Sequence, residues 1–154
     1  MGLDMYLYRE IVVGAEYDFN DVKGEVDITI NGVPLNIDLQ KIFSIKEQVG
    51  YWRKAQQIHN WFVENVQDGE DNCAYYRVSQ EELSELLEIV NKVLSNRGTP
   101  QEAYVVNEHL PDGYDYDDEW YWLQMENTQK ILNEILSDSK TFGGHVDYYY
   151  ESSW

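Results

Sequence analysis

The stretch from Tyr51 to Val66 restricts the fold of this chain more than any other. Laid out at about 100° per residue, it separates into two faces. Tyr51, Trp52, Ala55, Ile58, His59, Phe62, Val63 and Val66 fall on one side, and Arg53, Gln56, Gln57, Asn60 and Glu64 on the other. The pattern predicts an amphipathic helix whose aromatic face must be buried against further structure. Two residues break the division: His59 lies within the apolar arc, and Trp61 projects from the polar side.

The surrounding sequence supplies that further structure. Leu3, Met5 and Leu7 alternate with Asp4, Tyr6 and Tyr8, the period of a half-buried strand over residues 2 to 9. Val26, Ile28 and Ile30 alternate likewise and run into Asn31-Gly32, a type I′ hairpin signal, with Val33 to Ile37 as the return strand and Pro34 marking an edge. Asp38 is placed to cap a short helical piece from Leu39 to about Lys46. Past the central helix, the polar run 67–72 offers Gly69 as a helix stop, and Ala74 to Val78 is a short strand.

Ser79-Gln80-Glu81-Glu82 is a capping box, and the helix it opens carries Leu83, Leu86, Leu87, Val90, Val93 and Leu94 at core spacing. Residues 99 to 116 read as a long loop with an extended piece at Tyr104 to Val106. A last helix from about Asp118 to Leu136 puts Tyr121, Met125, Thr128, Ile131, Leu132 and Ile135 on one face and turns Trp122 the other way. His145 to Trp154 forms a final strand. The fold expected is therefore α+β: one domain over residues 1 to 154, an antiparallel or mixed sheet holding both terminal strands, and about three helices packed on it.

Composition narrows the function classes. The net charge is −18, of which residues 67 to 154 carry −14, so the mean field opposes direct binding to nucleic acid or to an anionic membrane. A lone Cys73 excludes an internal disulfide. No apolar run reaches the length of a signal peptide or a membrane span, which points to a cytoplasmic protein.

Four stretches together carry a resemblance: the opening Met-Gly-Leu-Asp-Met-Tyr-Leu, the segment Gly50 to Val66, the Gln-Asp-Gly-Glu-Asp-Asn-Cys that follows, and the closing Tyr-Tyr-Tyr-Glu-Ser-Ser-Trp. The chain resembles a family of small acidic proteins encoded by bacteriophages and prophages. Residues 97 to 112 depart from that pattern, which has a glycine- and phenylalanine-rich loop there. The resemblance implies a phage origin and a single folded unit in the host bacterial cytoplasm. It carries no catalytic residue across.

Candidate sites are three. Trp52, Arg53, His59 and Trp61 suit an aromatic and cationic pocket for a nucleotide-like ligand, which would make the chain a sponge for a signalling molecule and an oligomer. The plainer reading of His59, and the favoured one, is a core histidine whose ring nitrogen is satisfied by a neighbour. Asp68, Asp71, Asn72 and Cys73 near His59 suggest a metal or a Cys–His nucleophile. Ligand spacing is absent, however, and neither metal nor cofactor is expected.

Asp115, Tyr116, Asp117, Asp118, Glu119 and Trp122 mix carboxylates with large amphipathic rings, as a protein-binding surface does. No phosphate loop, nucleophile elbow or zinc-protease helix occurs. The leading expectation is a non-enzymatic inhibitor that occupies a basic, nucleic-acid-binding type of surface on a host protein, an anti-phage defence protein being one such host target. The carboxylates would stand where phosphates do.

Overall fold

A computed structural model describes residues 2–12, 28–38, 41–114, 119–138 and 146–154. In chain order the elements are β1 (Asp4–Val12), β2 (Thr29–Ile30), β3 (Val33–Pro34), β4 (Ser44–Arg53), α1 (Gln56–Asn65), β5 (Tyr76–Val78), α2 (Gln80–Ser95), α3 (Glu102–His109), α4 (Glu119–Asp138) and β6 (Val146–Ser153). Both alternating ends of the sequence become strands and pair with each other, Asp4 opposite Ser153 and Ile11 opposite Val146. The main sheet runs β4-β1-β6-β5 with every neighbour antiparallel. The α+β architecture read from the sequence is the one observed.

Strand alternation assigns each face of this sheet. Met5, Leu7, Trp52, Val78, Tyr148 and Tyr150 point inward and are buried in one apolar cluster with Ile58 and Phe62 of α1, Leu83, Leu86 and Val90 of α2, and Met125, Leu132 and Ile135 of α4. Burying one such side chain contributes roughly 1.5–3 kcal/mol, so the cluster is what holds the layers together. β1 and β4 slip register between Leu7 and Tyr8, with Leu7 facing Gly50 and Tyr8 facing Gln48. Gly50 lies beneath Ile131 of α4: a Cβ there would stand 3.1 Å from Ile131 Cγ2, 3.1 Å from Leu7 Cβ and 3.0 Å from Trp52 Cη2. Only hydrogen fits without displacement.

Local signals were obeyed where chemistry fixed them. Asn31 and Gly32 take φ of 51° and 78°, as the hairpin turn between β2 and β3 requires. Ser79 Oγ accepts the Glu82 N–H, and Glu82 in turn accepts the Ser79 N–H at 2.7 Å. Asp68 and Gly69, with φ of 53° and 79°, turn the chain after α1, and the Gly69 N–H bonds the Val63 carbonyl.

Three expectations are corrected. The helix expected from Tyr51 begins at Gln56, because Tyr51, Trp52 and Arg53 belong to β4, where Trp52 faces Met5 and Tyr51 faces Tyr6. The free edge of β1 captures this segment, and Lys54, at φ 55°, turns the chain out of the strand. The helical piece expected over Leu39 to Lys46 gives way to β4 from Ser44 onward, residues 39 and 40 lying outside the described residues. The extended piece at Tyr104 to Val106 is instead part of α3. Glu102, Val105, Val106 and Leu110 are buried at helical spacing, and Glu102 anchors the start by accepting the Gly98 N–H and the Tyr114 hydroxyl.

Candidate functional site

His59 is 1% exposed and both of its ring nitrogens are engaged. Nε2 lies 3.0 Å from Asp71 Oδ1, and Nδ1 lies 2.8 Å from the Tyr150 hydroxyl. An ionised carboxylate only accepts, so Nε2 carries the proton, and in the neutral ring Nδ1 accepts the Tyr150 O–H. Burial pushes the Tyr150 phenol far above its ordinary range, which keeps it a donor. The Trp154 ring meets the imidazole edge-on at 5.8 Å. The arrangement ties α1 to the loop at Asp71 and to the last strand. Cys73 is exposed, and both imidazole nitrogens already have other partners. Among the described residues no group of three or more His, Cys, Asp and Glu side chains is arranged to hold a metal.

The four residues of the expected ligand pocket do not converge. Trp52 is 1% exposed inside the sheet, its Nε1–H donating to Thr128 Oγ1 at 2.9 Å. Arg53 is exposed at the end of β4. Trp61, expected to project, is buried with its ring edge-on to Phe62 at 5.2 Å. Polar spacing misled here, because α1 is covered on more than one side.

Asp115, Tyr116, Asp117 and Asp118 lie outside the described residues. Glu119 is exposed in the first turn of α4. Trp122, expected to point outward, is 4% exposed; it packs edge-on against Tyr121 and Tyr114, with the Arg97 guanidinium 4.9 Å above its ring. Trp120 and Leu123 are the large apolar residues here that face solvent, in a shallow groove of about 360 Å³ lined also by Glu119 and Glu126.

The most extensive aromatic surface is one the sequence reading passed over. Every inward strand residue has an outward neighbour; four of those are Tyr6, Tyr8, Tyr51 and Tyr149, and Tyr75, one residue before β5, joins them in a continuous line. Tyr51 and Tyr6 have ring centroids 5.5 Å apart, Tyr6 and Tyr8 6.1 Å, Tyr8 and Tyr75 5.9 Å, and Tyr75 and Tyr149 4.5 Å with nearly parallel planes. Lys46 Nζ sits 3.9 Å over Tyr8 and 4.4 Å over Tyr75, holding the middle of the line by cation–π attraction. Tyr51 and Tyr75 are exposed, and Tyr6, Tyr8 and Tyr149 are half-buried by one another.

Acidic residues frame the line. The Tyr51 hydroxyl donates to Asp4 at 2.6 Å, and Glu151 stands opposite Tyr6 across the β1–β6 ladder. Partial burial, with added repulsion from Glu10, Asp147 and Glu151, raises the phenols of Tyr8, Tyr75 and Tyr149, while the bond to Asp4 raises Tyr51. All stay neutral donors at physiological pH. The signal was present as Tyr6 and Tyr8 on one parity of β1 and Tyr149 on one parity of β6, but only the strand order shows that they adjoin.

No helix among the described residues is long and apolar enough to cross a membrane. Comparison with protein-family models, with curated proteins and with solved structures returns no match.

Proposed function

We propose that this is a bacteriophage-encoded binding protein, without catalytic activity of its own, that occupies a basic surface on a host protein. The observation that carries the reading is the tyrosine line from Tyr51 to Tyr149 on the open face of the sheet. Tyrosine offers a large, stiff contact area with a polar tip and loses little conformational entropy on binding, which is why it concentrates interface energy. Bases also stack on aromatic sheet faces, but a net charge of −18 repels their phosphates and favours a cationic protein. In this reading Asp4, Glu10 and Glu151 complement the partner's lysines and arginines at the contact. The carboxylates of Asp115, Asp117, Asp118 and Glu119 add to the attracting field and stand in for a displaced nucleic-acid backbone.

The test is capture from host lysate with three chains: the natural one, a Tyr8→Ser, Tyr149→Ser variant of unchanged circular dichroism, and a variant with residues 115, 117, 118 and 119 changed to lysine. The expected result is a stoichiometric basic protein retained at low salt and released at high salt. The tyrosine variant loses it, and the lysine variant holds it more weakly. Capture that neither variant alters, or capture insensitive to salt, overturns the proposal.

A further inference from the structure

The hairpin formed by β2 and β3 carries an apolar face that the rest of the described chain leaves open. Ile30 pairs with Val33, and the Leu35 N–H bonds the Ile28 carbonyl, so alternation puts Ile28, Ile30, Val33 and Leu35 on one side, and Ile37 follows a tight turn in which its N–H bonds the Leu35 carbonyl. All five are exposed, from 37% at Ile37 to 66% at Val33. A two-stranded hairpin alone is marginal in water, and exposed aliphatic clusters of this kind mark contact surfaces.

We infer that this face is a self-association surface, occupied by the same face of a second copy of the chain. Two features select that occupant. From Ile28 to Ile37 the sequence holds no charged residue, although the chain as a whole carries −18. A basic partner would be met with carboxylates, whereas an uncharged contact is what two like-charged copies need in order to approach.

The edge chemistry selects the mode of contact. Thr29 and Pro34 form the pair between two hydrogen-bonded pairs, so the backbone nitrogen of Pro34 faces outward and has no N–H to donate. Strand addition on the Pro34 edge is hindered, and face-to-face packing about a two-fold axis is the contact that covers the apolar side itself. There each arm supplies the second layer that the other lacks.

The area sets the strength. Five partly exposed aliphatic side chains offer on the order of 400 Å² per copy, below the ~800 Å² per partner of a standard stable interface, so the dimer is weak and concentration-dependent.

Analytical ultracentrifugation of the whole chain from about 5 to about 500 µM tests this, since a weak dimer crosses from monomer to dimer within that range. The expected result is such a shift, strengthened by added salt because screening relieves the repulsion between copies. An Ile30→Thr, Val33→Thr variant keeps strand propensity and is expected to remain monomeric while its thermal midpoint stays unchanged. A mass that stays monomeric up to the highest concentration in high salt overturns the inference, as does a dimer that survives in the variant. Salt acts here in the direction opposite to its effect on a basic partner, so the two interfaces are told apart by one titration.

Discussion

Phe62 of α1 and Tyr150 of β6 lie face to face, ring centroids 4.0 Å apart and planes 9° from parallel. The Tyr150 hydroxyl continues past that contact to His59, one turn earlier on the same helix. A single side chain thus makes an apolar contact with its ring and a polar one with its tip, and both hold α1 on the sheet.

Tyr150→Phe keeps the ring stack and deletes the hydroxyl, leaving His59 Nδ1 buried without a partner. The expected cost is about 1–3 kcal/mol. Urea unfolding reads it as a lower midpoint at unchanged slope, because the surface exposed on unfolding stays the same.

Gly50→Ala inserts a methyl against Ile131, Leu7 and Trp52, all within 3.1 Å of it. All three belong to the packed core and have little room to give, so the expected loss is about 1–3 kcal/mol from overpacking. Thermal unfolding checks it. A stabilised variant would mean that α4 is free to lift from the sheet.

Ser79→Ala removes the hydroxyl that caps α2 and is expected to cost about 1 kcal/mol. Glu82 then loses its hydroxyl partner, while its bond to the backbone N–H of residue 79 remains. A Glu82→Ala change in the same background is therefore expected to cost less than it does alone, and a double-mutant cycle measures the coupling.

Alkaline pH weakens the fold in a defined direction. Burial raises the phenols of Tyr121 and Tyr150 well above their ordinary value of 10.0, and Tyr121 also donates to the Leu110 carbonyl. A raised phenol binds its proton more tightly in the folded state. The associated stability is therefore whole below pH 10 and falls as pH climbs through the unfolded value toward the folded one. Tyrosinate absorbance is expected to rise in two stages, the exposed Tyr51 and Tyr75 before the buried Tyr121 and Tyr150, whose ionisation accompanies loss of near-ultraviolet dichroism. A single stage with dichroism retained would contradict the burial of Tyr121 and Tyr150.

The parts of the fold that were legible are those where one residue's chemistry decides the geometry: Asn31-Gly32 for the turn, Ser79 with Glu82 for the cap, and strict alternation at Met5 and Leu7. Trp52 was misplaced because Tyr51 and Trp52 satisfy the helical arc and the strand alternation equally, and only the exposed edge of β1 breaks the tie. α3 was hidden by Gly98 and Pro100, which punctuate its approach without forbidding a helix that starts at Glu102.

The candidate surfaces were harder to see, because they depend on which strands become neighbours. Tyr8 and Tyr149 are far apart in sequence yet face each other across β1 and β6. Trp61 and Trp122 failed as surface anchors for the complementary reason: a helix covered on several sides hides residues that a two-face pattern places outside.

The position of β6 between β1 and β5 has a consequence for synthesis. The strand that completes the sheet is the last described segment to leave the ribosome, and until residues 146–153 emerge β1 lacks one neighbour, β5 has none, and His59 is without Tyr150. Pairing of β6 with β1 and β5 joins segments far apart in sequence, so closure of the sheet is a late, non-local event of the kind that folds slowly. A premature stop before Val146 would release a chain whose sheet lacks the strand between β1 and β5 and whose His59 lacks the Tyr150 hydroxyl.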